Sequence, residues 1–196
     1  MLKLKRIIIL FILLISTSLF ASDLLLVGVY QNAPLNYMDG NTPKGFFVDL
    51  AKDWALASGY ELSFVYGEFP DLLEKIKNNE IDLLLSAAKS PEREKFMAFN
   101  NTPLFTNHGV VIVRNSSEIV SISQLSGKTI GVLTEDIYEP LLDEFTEEKN
   151  LTIKKVYYRS YEEIVNSIMA GNIDAGLLNY SLSTYYLNNG RGLKMV

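Results

Sequence analysis

The chain has 196 residues, of which 48% are hydrophobic and 21% charged, a composition that suits one large domain or two small lobes. It contains no cysteine and one histidine, which excludes disulfides, thiolate catalysis and a metal site built from several histidines. The net charge of −5 and the scattered lysines and arginines argue against a nucleic-acid partner, since no basic surface is visible.

Residues 1–21 have the pattern of a secretory signal peptide. Basic residues that include Lys3 and Arg6 precede an apolar run over 7–15, and small residues lead to a cleavage point after Ala21. The run is short for a membrane span, although an uncleaved anchor remains the alternative. The pattern predicts export and a periplasmic location for the mature chain.

Hydrophobic periodicity then predicts strands and helices in alternation. In the first half the predicted elements are a strand over 24–30, a helix over 47–58, a strand over 61–66, a helix opening at Pro70 and a strand over 81–85. In the second half they are strands over 129–133, 151–157 and 173–178, with helices over 139–148, 161–170 and 181–188. Alternation of this kind predicts an α/β fold with mostly parallel sheets.

An internal repeat is the most informative feature of the sequence. The helix that begins near Phe69 and the strand after it recur 92 residues later, from Tyr161 onward. Asp82 and Asp174 occupy the same place in the two copies, so we interpret them as serving the fold rather than chemistry. The duplication predicts two similar lobes, over 22–108 and 109–196, with a ligand cleft between them.

Six motifs in order resemble the bacterial solute-binding proteins of family 3, which have the two-lobed type II periplasmic-binding-protein fold. They lie at residues 28–35, 45–50, 67–82, 90–93, 99–104 and 124–133. The resemblance implies binding of a small polar solute, an amino acid or another carboxylate, without catalysis. It implies either uptake through a membrane permease or a sensor module attached to a signalling receptor; the Ser-Pro-Glu-Arg motif at 90–93 resembles the sensor version.

The resemblance also carries a set of ligand-binding positions. Arg93 falls on an arginine that clamps a ligand carboxylate, a task that suits a planar guanidinium fork. Its alternative is a surface side chain paired with Glu92 or Glu94. Phe69 falls on an aromatic wall, and its alternative is simple helix packing. The full set of predicted contacts is Tyr30, Asn32, Phe69, Ser86, Arg93, Thr134, Asp136, Tyr138 and Asn179.

The departures from the family pattern concern the charged groups of the site. Asn179 stands where amino-acid binders place the carboxylate that holds the ligand ammonium group, and Val29 stands at a second acidic position. Ala88 replaces a serine that helps to hold the carboxylate, and Glu135 replaces a small glycine. The identity of the solute therefore stays open, and Glu135 or Asp136 offers an alternative contact for a cation. For Thr134 and Asp136, ordinary helix capping is the other interpretation.

Two other functions stay open at this point. Some proteins of this fold are lyases or dehydratases, for which Glu135, Asp136 and Asp49 are the candidate acids or bases. No phosphate-binding glycine loop or metal-ligand spacing is present, so we expect no cofactor and no metal. The family adds a return to the first lobe after the position of Val196, so a non-binding remnant is the third possibility, with exposed apolar surface and a bare sheet edge expected.

Overall fold

The computed structural model describes residues 23–196, and the predicted signal peptide lies outside them. In the first half the elements are β1 Leu24–Val29, β2 Tyr37–Asp39, β3 Thr42–Lys44, α1 Phe46–Ser58, β4 Glu61–Tyr66, α2 Phe69–Lys77 and β5 Leu83–Leu84. In the second half they are β6 Gly109–Arg114, β7 Thr129–Leu133, α3 Glu139–Glu148, β8 Lys154–Tyr158, α4 Tyr161–Ala170, β9 Ala175–Asn179, α5 Tyr180–Asn188 and β10 Leu193–Met195. Short 3₁₀ turns occupy Arg93–Lys95 and Ile122–Leu125.

Two larger sheets organise the molecule, one from each half of the chain, and β2 and β3 form a separate two-stranded antiparallel sheet. The first sheet has the order β4-β1-β5 and is parallel throughout. The second has the order β10-β6-β9-β7-β8; β7 runs parallel to both its neighbours, whereas β6 runs antiparallel to β9 and β10. The predicted α/β fold with mostly parallel sheets is confirmed.

The internal repeat reappears as repeated geometry at the start of the central strands. The Asp82 carboxylate accepts a hydrogen bond of 2.7 Å from the backbone N–H of Leu26, and the Asp174 carboxylate accepts one of 2.8 Å from Thr129. In both copies the N–H of the aspartate donates back to the carbonyl of that same residue, at 2.8 and 2.9 Å. The prediction that these aspartates serve the fold is confirmed.

Strands β1 and β7 also carry glycines that leave room for the isoleucine that follows the repeated helix. A Cβ atom on Gly28 would lie 2.8 Å from Cδ1 of Ile81, and one on Gly131 would lie 2.6 Å from Cδ1 of Ile173. Ile81 and Ile173 are themselves repeat partners, 92 positions apart. Both sheets therefore depend on a missing side chain at the same place.

The first helix buries a different face from the one that large apolar side chains suggest. The spacing predicts a stripe through Phe47, Leu50, Trp54 and Ala57, but α1 buries Val48, Ala51 and Ala55. Small side chains let the helix axis lie close to the sheet. The Trp54 ring stacks instead on Tyr60 and stays 44% exposed.

Apolar side chains are exposed on this helix and on the segment that links the two sheets. Leu56 is 84% exposed, and Leu104 and Phe105 of the segment that links the two sheets are about half exposed. Strand β5 is shorter than predicted and has β1 as its single partner, so it forms an edge of the first sheet. Within residues 23–196, no helix has the length and apolarity that crossing a membrane requires.

Candidate functional site

A cleft of about 1620 Å³ opens between the two sheets and continues beneath the segment that links them. Eight of the nine predicted ligand contacts line this space: Tyr30, Asn32, Phe69, Ser86, Arg93, Asp136, Tyr138 and Asn179. Residues from the carboxyl ends of β1, β7 and β9 meet here, as expected where the strands of α/β sheets end. The structure thus brings together side chains that lie up to 149 positions apart, as Tyr30 lies from Asn179.

Arg93 is the one buried cation among the described residues, with 7% of its surface exposed. The Ser90 hydroxyl accepts a hydrogen bond from the backbone N–H of Arg93 at 3.3 Å. The guanidinium donates to the carbonyls of Ala88 at 2.8 Å and Glu135 at 2.9 Å, and lies over the Phe69 ring at 5.1 Å.

No carboxylate of residues 23–196 forms an ion pair with Arg93. The alternative of a surface arginine paired with its neighbours is therefore wrong, and Glu94 pairs with Lys89 instead. A guanidinium carries five N–H donors, and two of them are used by the carbonyls. The side-chain hydrogen bonds of Arg93 within residues 23–196 are these two.

Asp136 is the one buried carboxylate in the same part of the chain, 8% exposed. Its oxygens accept hydrogen bonds from the Tyr161 hydroxyl at 2.8 Å and from the Tyr138 backbone N–H at 3.3 Å. Burial raises the pKa of this carboxyl from its ordinary 3.8 to about 6, against the opposing effect of the two hydrogen bonds and of Arg93.

Two asparagines bridge the cleft directly. Nδ2 of Asn179 donates to Oδ1 of Asn32 at 2.8 Å, and Nδ2 of Asn32 contacts the hydroxyls of Tyr30 and Ser86 at 3.1 and 3.2 Å. Oδ1 of Asn179 is occupied as well, because it caps α5 through the N–H of Leu182 at 2.9 Å. The amide at position 179 is thus used mainly in holding the two sheets and the helix together.

Aromatic rings form the apolar wall. The rings of Tyr30 and Phe69 lie 4.9 Å apart, and both are buried in a cluster that also contains Leu133 and Tyr161 from the second half. Burial raises the pKa of the Tyr30 hydroxyl far above its ordinary value, and that of Tyr138 to about 12. These hydroxyls therefore stay protonated hydrogen-bonding groups at physiological pH.

Thr134 is the predicted contact that the structure does not bring to the cleft wall. Its hydroxyl donates to the carbonyl of Tyr158 at 3.0 Å, and its backbone N–H donates to the same oxygen at 2.8 Å. Position 134 therefore continues the register of β7 with β8. Its neighbour Glu135 is exposed and has a φ of 62°, a left-handed conformation that favours glycine.

Tyr161 is the site residue that the sequence interpretation missed, because its periodic position assigned it to helix packing. It is buried, lines the cleft and donates to Asp136. The repeat itself carried the missing signal, since Tyr161 is the partner of Phe69 at the offset of 92.

The described residues contain no cluster of three or more acidic, histidine or cysteine side chains that could hold a metal ion.

The chain matches the sequence model of the bacterial extracellular solute-binding proteins, family 3, over residues 25–170. An arginine-binding extracellular protein of Bacillus subtilis is 29% identical over 162 residues, which cover 82% of this chain and 62% of that protein. A histidine-binding periplasmic protein of Salmonella typhimurium is 29% identical over 132 residues, which cover 67% of this chain and 50% of that protein. The chain thus spans between about half and three fifths of the length of these relatives.

Solved structures agree with this similarity. Holo ArgBP from T. maritima superposes with a TM-score of 0.78 at 26% identity, over 88% of this chain and 76% of that one. An ancestral arginine-binding protein bound to glutamine has the same fold, with a TM-score of 0.77 at 24% identity, over 88% of this chain and 77% of that one.

Proposed function

This chain belongs to the bacterial extracellular solute-binding proteins, family 3, and from that premise we propose that its cleft binds a small polar solute carrying a carboxylate. The lobes predicted over 22–108 and 109–196 close on the solute by a hinge motion, and the closed form is recognised by a partner. That partner is a membrane permease of ABC-type uptake or the signalling part of a receptor. The protein acts outside the cytoplasm, after export by its N-terminal signal.

A single observation carries the proposal: Arg93 is buried in the cleft wall without an acidic partner in the described part of the chain. Burying a guanidinium is costly unless an anion neutralises it, and a ligand carboxylate matches its fork in two parallel hydrogen bonds. The two relatives are named as arginine-binding and histidine-binding proteins, which supports an amino acid as the ligand that carries the carboxylate.

Isothermal titration of the purified chain with L-arginine, L-histidine, L-glutamine and simple carboxylates tests this function. We expect at least one carboxylate to bind, and Arg93→Ala to weaken that binding at least about 100-fold, or about 2.7 kcal/mol. Arg114→Ala removes an exposed arginine at the end of β6, outside the cleft, and serves as the matched control. Unchanged affinity in Arg93→Ala, with a normal melting curve, would remove Arg93 from the site.

A lyase or dehydratase is the second candidate, and one observation favours it. Asp136 is a buried cleft carboxyl whose pKa is raised to about 6, as a general acid requires. The double variant Glu135→Gln with Asp136→Asn tests this possibility against any substrate that the wild-type chain converts. Turnover that persists in the double variant would exclude both carboxyls as its acid or base.

A further inference from the structure

We propose that Asp136 receives the cationic group of the ligand, so that the cleft selects a zwitterion whose opposite charges lie close together, as in an α-amino acid. This inference rests on the proposed function and names the solute class more narrowly. It also moves the cation contact away from position 179, where the family resemblance would place it.

The first argument is the charge of the cleft wall. Within residues 23–196, Arg93 and Asp136 are the charged side chains that are buried, and they have opposite signs. Both line the cleft, yet they do not form an ion pair with each other. Two buried opposite charges that leave each other unpaired need counter-charges, and one zwitterion supplies both.

The second argument is distance along the backbone. Arg93 donates to the carbonyl of Glu135, the residue immediately before Asp136. Arg93 is therefore bonded to the main chain one residue before Asp136, and both side chains line the same cleft. We expect a ligand with its ammonium and carboxylate on the same carbon to bridge the two groups better than a ligand with charges at the two ends of a long chain.

The third argument compares the hydrogen-bond acceptors of Asp136 and Asn179, the two candidate contacts for the cationic group of the ligand. A carboxylate offers about four acceptor positions, and Asp136 uses one on each oxygen, for Tyr161 and for Tyr138. Asn179 is neutral, and its single amide oxygen already accepts from Leu182 and Asn107 at 2.9 and 3.1 Å. Asp136 therefore retains both the charge and the lone pairs that an ammonium group needs.

Two matched probes test the inference by isothermal titration at pH 7.5. L-glutamine carries the α-ammonium group, and 4-carbamoylbutanoate has the same chain and carboxylate without it. We expect wild-type protein to prefer L-glutamine at least tenfold, and Asp136→Asn to lose that preference. Asp143→Asn removes an exposed carboxylate of α3 and is the control that keeps the wild-type preference.

The outcomes separate the two proposals. A full tenfold preference in Asp136→Asn, or its loss in Glu135→Gln instead, would overturn the role of Asp136 and leave the carboxylate-binding function standing. Failure of wild-type protein to bind either probe, together with every other carboxylate tested, would overturn the proposed function and this inference with it. Equal binding of both probes by wild-type protein would overturn the inference alone.

A measurement on unmodified protein keeps the test valid if Asp136→Asn does not fold. The preference for L-glutamine should shrink as the pH falls from 7.5 to 5, because protonation removes the charge of Asp136. The groups that face this carboxyl are Arg93, Tyr30, Tyr138 and Tyr161. Burial raises the pKa of all three tyrosines, so their hydroxyls stay protonated over that pH range. A preference that is constant between these pH values would overturn the inference.

Discussion

Asn179 donates a hydrogen bond of 2.8 Å to Asn32, and this contact joins the second sheet to the first across the floor of the cleft. Both side chains are buried, with 3% and 2% of their surface exposed. Buried polar groups that lose a partner are destabilising by roughly 1–3 kcal/mol each. The pair is therefore a structural bond between the two halves as well as part of the cleft wall.

Two substitutions of Asn179 distinguish its hydrogen bond to Asn32 from its capping of α5. Asn179→Ser keeps an oxygen that can cap α5 but removes the donor to Asn32, so we expect the free energy of unfolding to fall by roughly 1–3 kcal/mol. Asn179→Ala also removes the cap and should cost about 1 kcal/mol more. Urea unfolding of both variants measures these losses. Serine and wild-type chains of equal stability would show that the bond to Asn32 contributes nothing.

The protonation of Asp136 should make the stability of the fold depend on pH. The folded pKa, about 6, lies above the ordinary value of 3.8, so at intermediate pH the folded chain holds a proton that the unfolded chain has released. The stability contributed by this group is complete below about pH 3.8 and is lost as the pH rises through 6. The full difference corresponds to at most about 3 kcal/mol.

Asp136→Asn removes this dependence. The unfolding free energy of the variant minus that of wild-type protein should rise by about 1–3 kcal/mol when the pH is raised from 4 to 7.5. Urea unfolding at the two pH values measures that gain, and the wild-type comparison cancels the titration of the other carboxyl groups. A difference between the two proteins that does not change with pH would contradict the raised pKa.

Gly131 lies in β7, between β8 and β9, and a side chain at this position should destabilise the fold. Gly131→Ala places a Cβ atom 2.6 Å from Ile173 and 3.1 Å from Ile164, so we expect a loss of about 1–3 kcal/mol in unfolding free energy. Gly67→Ala is the matched control, since its Cβ atom would approach Leu72 no closer than 3.3 Å. Thermal melts of the two variants compare them, and equal melting temperatures would show that the sheet adjusts freely.

Local signals determined how well each element was predicted. The bounds of α4 match the predicted helix because Ser160 caps its first turn and Gly171 ends it in a left-handed conformation. In the first helix, Gly59 likewise fixed the end. The buried face was wrong because periodicity weighs large apolar residues most, whereas close packing against the sheet selected Ala51 and Ala55.

The position of the cleft could be predicted from the sequence, but the hydrogen bonds between its side chains could not. The repeat and the motifs located a cleft and eight side chains that line it. The contact between Asn32 and Asn179 joins residues 147 positions apart, and no spacing rule reaches that far. The position of Thr134 away from the cleft wall depended on register, since its hydroxyl bonds to β8.

The bond from Arg93 to the second sheet ends on a main-chain carbonyl, that of Glu135. Every amino acid supplies a carbonyl, so no exchange of side chain at position 135 deletes the acceptor. Substitutions at position 135 can therefore change the charge of this exposed loop while the link between the two halves persists. A side-chain substitution at position 93 can therefore remove this hydrogen bond, whereas a side-chain substitution at position 135 leaves its acceptor in place.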